Sequence, residues 1–464
     1  MRRRTAIVIG TCAALALAGT AGAVALTQAG DSRVVWHEPP AVARTPVAAQ
    51  GYAPGTSGAV ARPGEEPVSP SSGSPSPSTS SSASHLPESG RQEAAHGSRA
   101  ELDRRLESAP ATSRQRVGEL LPVSRLLGYP AGPKREKFSY PGASYVKLHF
   151  DRVALLAGDY LTVSNPEGTE SYRYDAYSLR SGDAGRWAMS VTGDTAVVEV
   201  HRAVNPLGLG SVLGNLGVQV DQVARGFDRG ERAAAAGPGR EESICGTDTS
   251  SDAVCYQSKD PVAYTKSKAI ARLLINGTEL CTGWRAGPKN RMLTNNHCLT
   301  TSDEAYDTEV WFNYQCAKCG GYDVFKPTKV WGDKVLATDR VFDYTLFSVD
   351  GFASIEKFGY LTLDTARPAK GQALYVPQHP AGEPTRIAGG QGDKAGNCAV
   401  DNPDYTGYAE HSDVSYYCDT AGGSSGSPVL SRSTNRVVAL HHFGGCPNSG
   451  VRGDLLASRL RTLL

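Results

Sequence analysis

Alternation of apolar and polar side chains predicts most of the secondary structure of this 464-residue chain. Between residues 138 and 202 the period is two: Val146, Leu148 and Phe150 alternate with polar residues, and turn residues such as those at 165–168 separate the runs. The pattern predicts a small antiparallel β-sandwich.

Short apolar runs separated by turn residues also fill residues 241–464, without interleaved helices. An all-β barrel or sandwich is therefore expected there. A helix should close the chain, because Leu456, Leu460 and Leu463 lie on one helical stripe after the N-cap candidate Asp454.

Helix-like spacing precedes the predicted sandwich and indicates two short helices between residues 99 and 127. The apolar positions are Leu102, Leu106, Val117, Leu120 and Leu121.

Composition divides the remainder of the chain. Arginines at positions 2–4, a weakly apolar Ala-rich run and small-residue cleavage options indicate a secretory signal peptide at the amino end, with an uncleaved membrane anchor as the weaker alternative. A Pro/Ser-rich stretch cannot bury enough apolar surface to order itself, and a Gly/Ala-rich stretch indicates a second connection. The expected parts are a signal peptide 1–30, a disordered linker 31–99, a helical segment plus β-rich pro- or accessory domain 100–204, a linker 205–240 and a large β domain 241–464.

Charge and cysteine usage exclude some functions. With 48 basic and 47 acidic residues the chain has no basic excess for nucleic acid, and no stable membrane insertion is expected. Nine cysteines follow Cys12, all after residue 244, which in an exported protein favours disulfides with one thiol left over. The pair Cys316 and Cys319 lacks the second pair of ligands that structural zinc needs, so no metal is predicted.

Three segments of the last domain offer catalytic chemistry: His297 in "LTNNHC", Asp343 in "DYTL" and Ser425 in "GSSGSP". A serine hydroxyl needs an adjacent base, and an imidazole serves when a carboxylate fixes its tautomer. Ser424 also fits the G-x-S-x-G elbow of α/β-hydrolases, but Pro428 and a strand-like run follow it where that elbow needs a helix.

These segments resemble those of trypsin-like serine proteases, and most closely the secreted bacterial lysyl and glutamyl endopeptidases. "LTNNHC" is similar to L-T-A-x-H-C and "GSSGSP" to G-D-S-G-G-P, while "CTG" at 281–283 and "HPAGEPTRI" at 379–387 also match. The resemblance spans most of 245–454. It implies a chymotrypsin-like double β-barrel with a C-terminal helix, preceded by a small β-sandwich-like domain.

The resemblance also implies the roles of individual residues. His297 matches the general base, Asp343 its orienting carboxylate and Ser425 the nucleophile, with the N–H groups of Gly423 and Ser425 as the oxyanion hole. Asp339 is a competitor for the carboxylate role but lacks the T-L run that follows Asp343. Protein or peptide substrates, no cofactor and a monomer are expected.

Activation should depart from trypsin, because Ser424 replaces the Asp that pairs with a new amino terminus. We expect instead that residues 31–240 act as a propeptide, removed near Arg229, Arg232 or Arg240.

The residues around the expected pocket give conflicting signals for the side chain that precedes the cleaved bond, the P1 residue. Asp419 stands six residues before Ser425, where an acid selects Lys or Arg, whereas His441 or His442 on the pocket wall would suit Glu. A third alternative is that Asp419 only hydrogen-bonds its own loop. A charged P1 residue is expected, its sign open. The candidate pocket residues are Asp419, Thr420, His441, His442, Phe443 and Gly444.

Disulfide pairs follow from the resemblance. They are Cys281–Cys298, Cys245–Cys446, Cys398–Cys418, and Cys255 with either Cys316 or Cys319.

The sequence therefore predicts a secreted, all-β serine endopeptidase. The alternative is a catalytically silent cell-surface protein that uses the same fold for adhesion.

Overall fold

A computed structural model gives the architecture of most of the chain after residue 113. It describes residues 114–128, 133–175, 178–179, 181–182, 185–202, 216–235, 244–389 and 398–464, and the backbone of 35–37. The predicted signal peptide, the first predicted helix and nearly all of the predicted Pro/Ser-rich linker lie outside these residues. None of the helices described here combines the length and the apolar character needed to cross a bilayer.

Short antiparallel strands dominate the first half of the described chain. The strands are β1 (Val35–His37), β2 (Gln115–Arg116), β3 (Gly118–Leu127), β4 (Arg135–Ser139), β5 (Tyr145–Ala154), β6 (Tyr160–Ser164), β7 (Ser171–Asp175), β8 (Ser181–Gly182), β9 (Gly185–Arg186), β10 (Val191–Thr192), β11 (Thr195–His201) and β12 (Gly217–Gly226). A single helix, α1 (Arg229–Ala235), follows them.

Eight of these strands form the expected sandwich. One sheet has the order β10-β5-β12-β3 and the other β4-β11-β6-β7. Val146, Leu148 and Phe150 of β5 are fully buried in its core, together with Val198 of β11. We call residues 114–235 the sandwich domain.

The second predicted helix is wrong, because its residues form strand β3. Pro122 lies in the middle of this run, where a helix would lose a backbone hydrogen bond and meet a steric clash. At the edge of a sheet proline is tolerated, and β3 is an edge strand that pairs along its length with β12.

The predicted linker 205–240 is also wrong over much of its length. Strand β12 lies inside a sheet, where Val218, Val220 and Val223 are fully buried, with a bulge that shifts the register between Val220 and Gln222. The Gly/Ala-rich average of the stretch concealed these alternating valines. Within the predicted linker 31–99, β1 likewise forms a strand rather than coil.

The remaining strands and helices belong to the carboxy-terminal domain, residues 244–464. The strands are β13 (Ser251–Asp252), β14 (Ile270–Ile275), β15 (Glu279–Arg285), β16 (Met292–Thr294), β17 (Glu309–Phe312), β18 (Asp323–Phe325), β19 (Thr328–Asp339), β20 (Tyr344–Val349), β21 (Leu374–Gln378), β22 (Arg386–Ala388), β23 (Val400–Tyr405), β24 (Asp413–Tyr416), β25 (Pro428–Ser431), β26 (Val437–Phe443) and β27 (Asn448–Arg452). The helices are α2 (Tyr256–Lys259), α3 (Pro261–Ser267), α4 (Ser302–Tyr306) and α5 (Gly453–Leu460), with short 3₁₀ turns at Ala253–Cys255, Phe352–Ser354, Glu356–Phe358 and Pro380–Gly382.

Two antiparallel barrels build this domain. The first runs β14-β17-β19-β20-β16-β15 and closes through the pairing of β14 with β15. The second runs β21-β25-β26-β27-β24-β23 and closes where Leu374 N–H donates to Cys398 O and Val400 N–H donates to Gln372 O, at 2.8 and 2.9 Å. The all-β expectation for this domain is confirmed.

One apolar core joins the barrels. Leu293 and Leu346 of the first barrel pack in the same cluster as Leu430 and Leu440 of the second. Leu456 and Leu460 of helix α5 are buried in this core, as the sequence pattern predicted. The N-cap is Arg452 rather than Asp454, which lies in the first turn, and Leu463 packs against the core beyond the end of the helix.

Four disulfides are formed by the described residues. They are Cys245–Cys446, Cys255–Cys319, Cys281–Cys298 and Cys398–Cys418. The partner of Cys255 is thus Cys319, and buried Cys316 is the thiol outside the disulfides.

A buried ionic network joins the sandwich domain to the first barrel. Glu309 of β17 accepts hydrogen bonds from Lys147 Nζ at 2.7 Å and from the N–H and Oγ of Ser190 at 2.9 and 2.6 Å. Lys329 of β19 pairs with Glu170 at 2.8 Å, and all four charged side chains are at most 1% exposed. The positive and negative charges balance, which is how charges are accommodated away from water.

Strand β1 pairs with β18 of the carboxy-terminal domain, with Val35 opposite Phe325. Strand β2 pairs with β15 of the first barrel. Two segments upstream of residue 117 therefore extend β-structure of the carboxy-terminal domain.

Candidate active site

His297 lies in the turn that follows β16, between the two barrels. Strand β16 is buried and pairs with β15 and β20, which fixes the start of the turn. Asn295 Nδ2 donates to the carbonyl of Asp343 at 2.9 Å, and the adjacent Cys298 is tied by its disulfide to Cys281 on β15. The histidine backbone is thereby anchored on both sides.

Asp343 accepts two hydrogen bonds from His297. Its Oδ2 lies 2.8 Å from His297 Nδ1, and its Oδ1 lies 3.0 Å from the His297 backbone N–H. The carboxylate is 1% exposed and precedes β20 with a left-handed φ of 36°. The sequence prediction that these two residues meet agrees with this geometry, whereas Asp339 caps its own turn through the N–H groups of Val341 and Phe342.

A second histidine also contacts Asp343. His442 of β26 is fully buried, and its Nδ1 lies 3.2 Å from Asp343 Oδ2 while its Nε2 lies 2.6 Å from Asp413 Oδ2. Asp413 is held in turn by the hydroxyls of Ser412 and Ser449, at 2.7 and 2.9 Å. The side chains form a continuous chain from His297 through Asp343 and His442 to Asp413.

The surroundings of Asp343 and His442 within this series of side chains favour the ionised form of each. Burial alone would raise the pKa of Asp343, but the charges and hydrogen bonds of His297 and His442 outweigh it and hold the pKa well below its usual range. Burial alone would lower the pKa of His442, but Asp413 and Asp343 raise it to about 9. At neutral pH His442 is therefore an imidazolium that donates from both ring nitrogens to carboxylates.

Ser425 lies in the loop between β24 and β25, at 5% exposure. Thr282 of β15 holds this loop: its N–H donates to Ser425 O and its hydroxyl donates to Gly423 O, both at 2.8 Å. Gly426 must be glycine, because its φ is 86° and a Cβ there would lie 2.1 Å from Thr282 O. The carbonyl of Gly422 accepts from Ala381 N–H at 2.6 Å.

The histidine and the serine loop meet across the Cys281–Cys298 disulfide. Cys298 Sγ lies 4.0 Å from Ser425 O. His297 Nε2 is buried and has no hydrogen-bond partner among the described residues. Catalytic hydrogen bonds are often unformed in unliganded structures and form when substrate binds.

Ser424 and Ser427, which flank this part of the loop, are buried and form hydrogen bonds within it. Ser424 is fully buried, and its Oγ accepts from Ala421 N–H at 3.2 Å. Ser427 is also fully buried, and its N–H donates to Ser424 O at 2.9 Å.

Asp419 is hydrogen-bonded to a distant segment of the chain. Its Oδ2 accepts hydrogen bonds from the N–H and the hydroxyl of Thr249 at 2.9 and 2.7 Å, and the residue is 6% exposed. These contacts fit best the alternative in which Asp419 only forms hydrogen bonds within the protein, although its partner is Thr249 and not a residue of its own loop. Thr420 beside it is buried.

The other candidate pocket residues lie on and after β26. His441 Nδ1 lies 2.7 Å from Tyr416 Oη, and burial together with the charge of His442 lowers the pKa of His441 to about 3, so that His441 is neutral at pH 7. The ring of Phe443 packs against Tyr408 with centroids 4.7 Å apart. Gly444 is half-buried.

Cys281, His297 and Cys298 place their ligand-type atoms within 4.8 Å of one another. The two sulfurs form a disulfide, and a disulfide sulfur is not the thiolate that binds zinc. The cluster therefore does not fit a zinc site.

Sequence reasoning missed how His442 is used. Adjacent residues of a regular strand point to opposite faces, but the register of β26 against β27 shifts between His441 and Phe443, so His442 lies at an irregularity of the ladder. The doubled histidine therefore did not show from sequence which ring faces Asp343. Asp413 carried no sequence signal, and the "CTG" match at 281–283 did not show that Thr282 holds the Ser425 loop.

Comparisons with known proteins give a domain match and two curated relatives. Residues 281–440 match the trypsin-like peptidase domain. Secreted RxLR effector protein 73 of Plasmopara viticola is 38% identical over 231 residues, covering 48% of this chain and 56% of that protein. An uncharacterized protein of Sinorhizobium fredii, y4fB, is 29% identical over 199 residues, covering 38% of this chain and 28% of that protein. The chain thus spans about half or less of the length of these curated relatives.

Among solved structures, a Glu endopeptidase in complex with MPD is similar at 17% identity and a TM-score of 0.35, covering 47% of this chain and 98% of that one. The peptidase-domain match, the two antiparallel barrels and the helix that follows them identify the fold. The carboxy-terminal domain of this chain has the trypsin-like serine protease fold.

Proposed function

We propose that this chain is a secreted serine endopeptidase that hydrolyses peptide bonds through an acyl-enzyme. The observation that carries the proposal is the buried Asp343 carboxylate, which accepts both the backbone N–H and Nδ1 of His297. A proton held at Nδ1 leaves Nε2 as the basic nitrogen of a neutral imidazole.

In the proposed reaction His297 Nε2 takes the proton of Ser425 Oγ as the oxygen attacks the substrate carbonyl carbon. The same proton then passes to the leaving amine as the peptide bond breaks. Water, deprotonated by His297, cleaves the acyl ester and returns the serine. Asp343 stabilises the imidazolium formed in each half-reaction.

The N–H groups of Gly423 and Ser425 are the proposed oxyanion donors. The carbonyls of Gly422 and Ser424 share peptides with these N–H groups, and each accepts a hydrogen bond, from Ala381 N–H at 2.6 Å and from Ser427 N–H at 2.9 Å, which fixes the planes of both peptides. Preorganised donors of this kind contribute roughly 3–4 kcal/mol each to transition-state stability.

His442 would serve to keep Asp343 ionised and in place. An imidazolium beside the carboxylate opposes its protonation, and the bond from His442 Nε2 to Asp413 prevents the ring from turning away. The protein thus supports the catalytic carboxylate with a buried cation.

A charged P1 residue remains our proposal for specificity, and the contacts of Asp419 favour Glu over Lys or Arg. Two hydrogen bonds from Thr249 already occupy Asp419 Oδ2. A substrate carboxylate beside His441 would raise the pKa of that imidazole from its lowered value, and the protonated ring would donate a charge-assisted hydrogen bond to it.

An extracellular location is consistent with the four disulfides, which persist in oxidising compartments, and with a relative that is named as a secreted effector. The substrates would be proteins or peptides, cut by a single chain without a cofactor. The adhesion alternative requires that the site be inert, which the first experiment tests.

Substitution of Ser425 by Ala should reduce kcat/KM on peptide substrates about 10⁴-fold or more, because the nucleophile is lost. A peptidyl phosphonate should label the wild type, with the adduct mapped to Ser425 by mass spectrometry. Ser424→Ala, the matched control, should still be labelled at Ser425. A folded wild type that neither cleaves nor reacts would favour the adhesion alternative, and an adduct on Ser424 would reverse the assignment.

A mixed-peptide cleavage profile should show cleavage after Glu, reduced at least tenfold in His441→Gln and retained in Asp419→Asn. The Asn variant keeps an acceptor for Thr249 while it removes the negative charge. Cleavage after Lys or Arg that disappears in Asp419→Asn would instead assign Asp419 to the pocket floor.

The free energy of unfolding should fall between pH 6.5 and 9 because of His442. Its pKa is about 9 in the folded state, above about 6.5 in the unfolded state, so its contribution is complete below pH 6.5 and is lost as pH rises toward 9. The loss is on the order of 3 kcal/mol.

Urea titrations at several pH values measure this slope. His442→Gln should flatten it relative to the wild type measured alongside. Asp343, His379 and His441 titrate below this window, since their pKa values are lowered. An unaltered slope in His442→Gln would contradict the assignment.

A further inference from the structure

The sandwich domain reaches the strand that supports the Ser425 loop. Strand β2 pairs with the start of β15, with Gln115 opposite Leu280 and Arg116 opposite Glu279. Val117 N–H continues the contact by donating to Thr278 O at 2.8 Å. Thr282, which binds the Ser425 loop, is only two residues beyond Leu280 on the same strand.

Gln115 packs directly against the glycines of that loop. The side chain is 8% exposed, and a Cβ added to Gly422 would lie 2.0 Å from Gln115 Oε1. A Cβ added to Gly423 would lie 3.5 Å from Gln115 Cβ and 2.5 Å from Leu280 Cδ2. Gln115 and Leu280 therefore pack against one face of the glycine pair.

A second contact reaches the same loop through the turn at 380–382. Ala381 and Gly382 both have left-handed φ values, 51° and 74°, and Ala381 N–H donates to Gly422 O. A Cβ on Gly382 would lie 2.7 Å from Val117 Cγ1 and 3.3 Å from Arg232 Cδ. The sandwich domain thus packs against a strained turn that itself bonds the loop.

From these contacts we propose that the sandwich domain is a permanent part of the active enzyme, and that Gln115 is a positioning residue for the loop 422–425. The proposal rests on the proposed peptidase function, because that loop carries the nucleophile and the oxyanion donors. It replaces the expectation that residues 31–240 are discarded as a propeptide.

The physical reason lies in the freedom of the glycine pair. Gly423 has a φ of 96°, and a glycine peptide turns readily unless its neighbours restrain it. A turned Gly422–Gly423 peptide would point the Gly423 N–H away from the developing oxyanion. Loss of Gln115 should therefore slow catalysis more than it weakens substrate binding.

The interface between the domains also opposes release of the sandwich. Separation would break the buried pairs Lys147–Glu309 and Lys329–Glu170 and would uncover the rings of Tyr145 and Trp311, which are fully buried and 5.8 Å apart. Of the expected cleavage sites, Arg232 is 1% exposed inside α1 and inaccessible in the folded protein. A cut between Ala235 and Ile244 would leave two chains held together.

Kinetics of full-length variants test the role of Gln115. Gln115→Ala should lower kcat at least tenfold with KM within twofold of the wild type, and Gln115→Met, which refills the space beside the glycines, should recover most of kcat. Gln219→Ala, on the sandwich but remote from the loop, is the matched control and should behave as wild type. Wild-type kcat in Gln115→Ala would overturn the positioning role.

Hydrogen–deuterium exchange tests the same role without relying on activity. The peptide that contains residues 421–426 should exchange faster in Gln115→Ala than in the wild type or in Gln219→Ala, and unchanged exchange would overturn the proposal. If residues 421–426 exchange more slowly in the wild type than in Gln115→Ala but the wild type does not cleave peptides, the peptidase function alone is refuted.

Permanence is tested by a specific protease site introduced between Ala235 and Ile244 of the full chain. After cleavage the two pieces should co-elute in size-exclusion chromatography and keep wild-type kcat. Spontaneous separation that leaves an active carboxy-terminal piece would contradict the proposal.

Discussion

The hydrogen bonds that converge on the buried carboxylate of Asp343 are the interaction on which the site depends. A carboxylate at 1% exposure is stable as an anion only when donors and cations replace its water. His297 supplies its ring N–H and backbone N–H, and His442 supplies a second ring N–H. The need to satisfy one charge brings together three segments that are far apart along the chain.

The groups that stabilise Asp343 are themselves held by further hydrogen bonds. His442 becomes a buried cation because Asp413 faces its other nitrogen, and Asp413 is held by two serine hydroxyls. The serine loop is organised in a parallel way, through Thr282, the 380–382 turn and Gln115. The histidine turn and the serine loop are therefore both restrained by hydrogen bonds and packing, which favours preorganised donors over donors that must rearrange during reaction.

Much of this could be predicted from residue patterns, because burial on one face of a strand imposes a period of two. The sandwich, the barrels, the closing helix and the pairing of His297 with Asp343 follow from such patterns or from the resemblance they carry. Strand β3 was not predicted because proline is tolerated in a strand mainly at a sheet edge, and the sequence around Pro122 does not show that β3 is an edge strand. Asp419 escaped because its partner, Thr249, is 170 residues away and no local pattern reports that contact.

The direct measurement of the central claim is the activity of Asp343→Asn at pH 7, with folding checked by circular dichroism. An amide in place of the carboxylate can stabilise the wrong tautomer of His297 and cannot stabilise its imidazolium. The account predicts a kcat/KM about 10⁴-fold below the wild type in a folded protein. A variant within tenfold of the wild type would show that Asp343 does not orient the catalytic base.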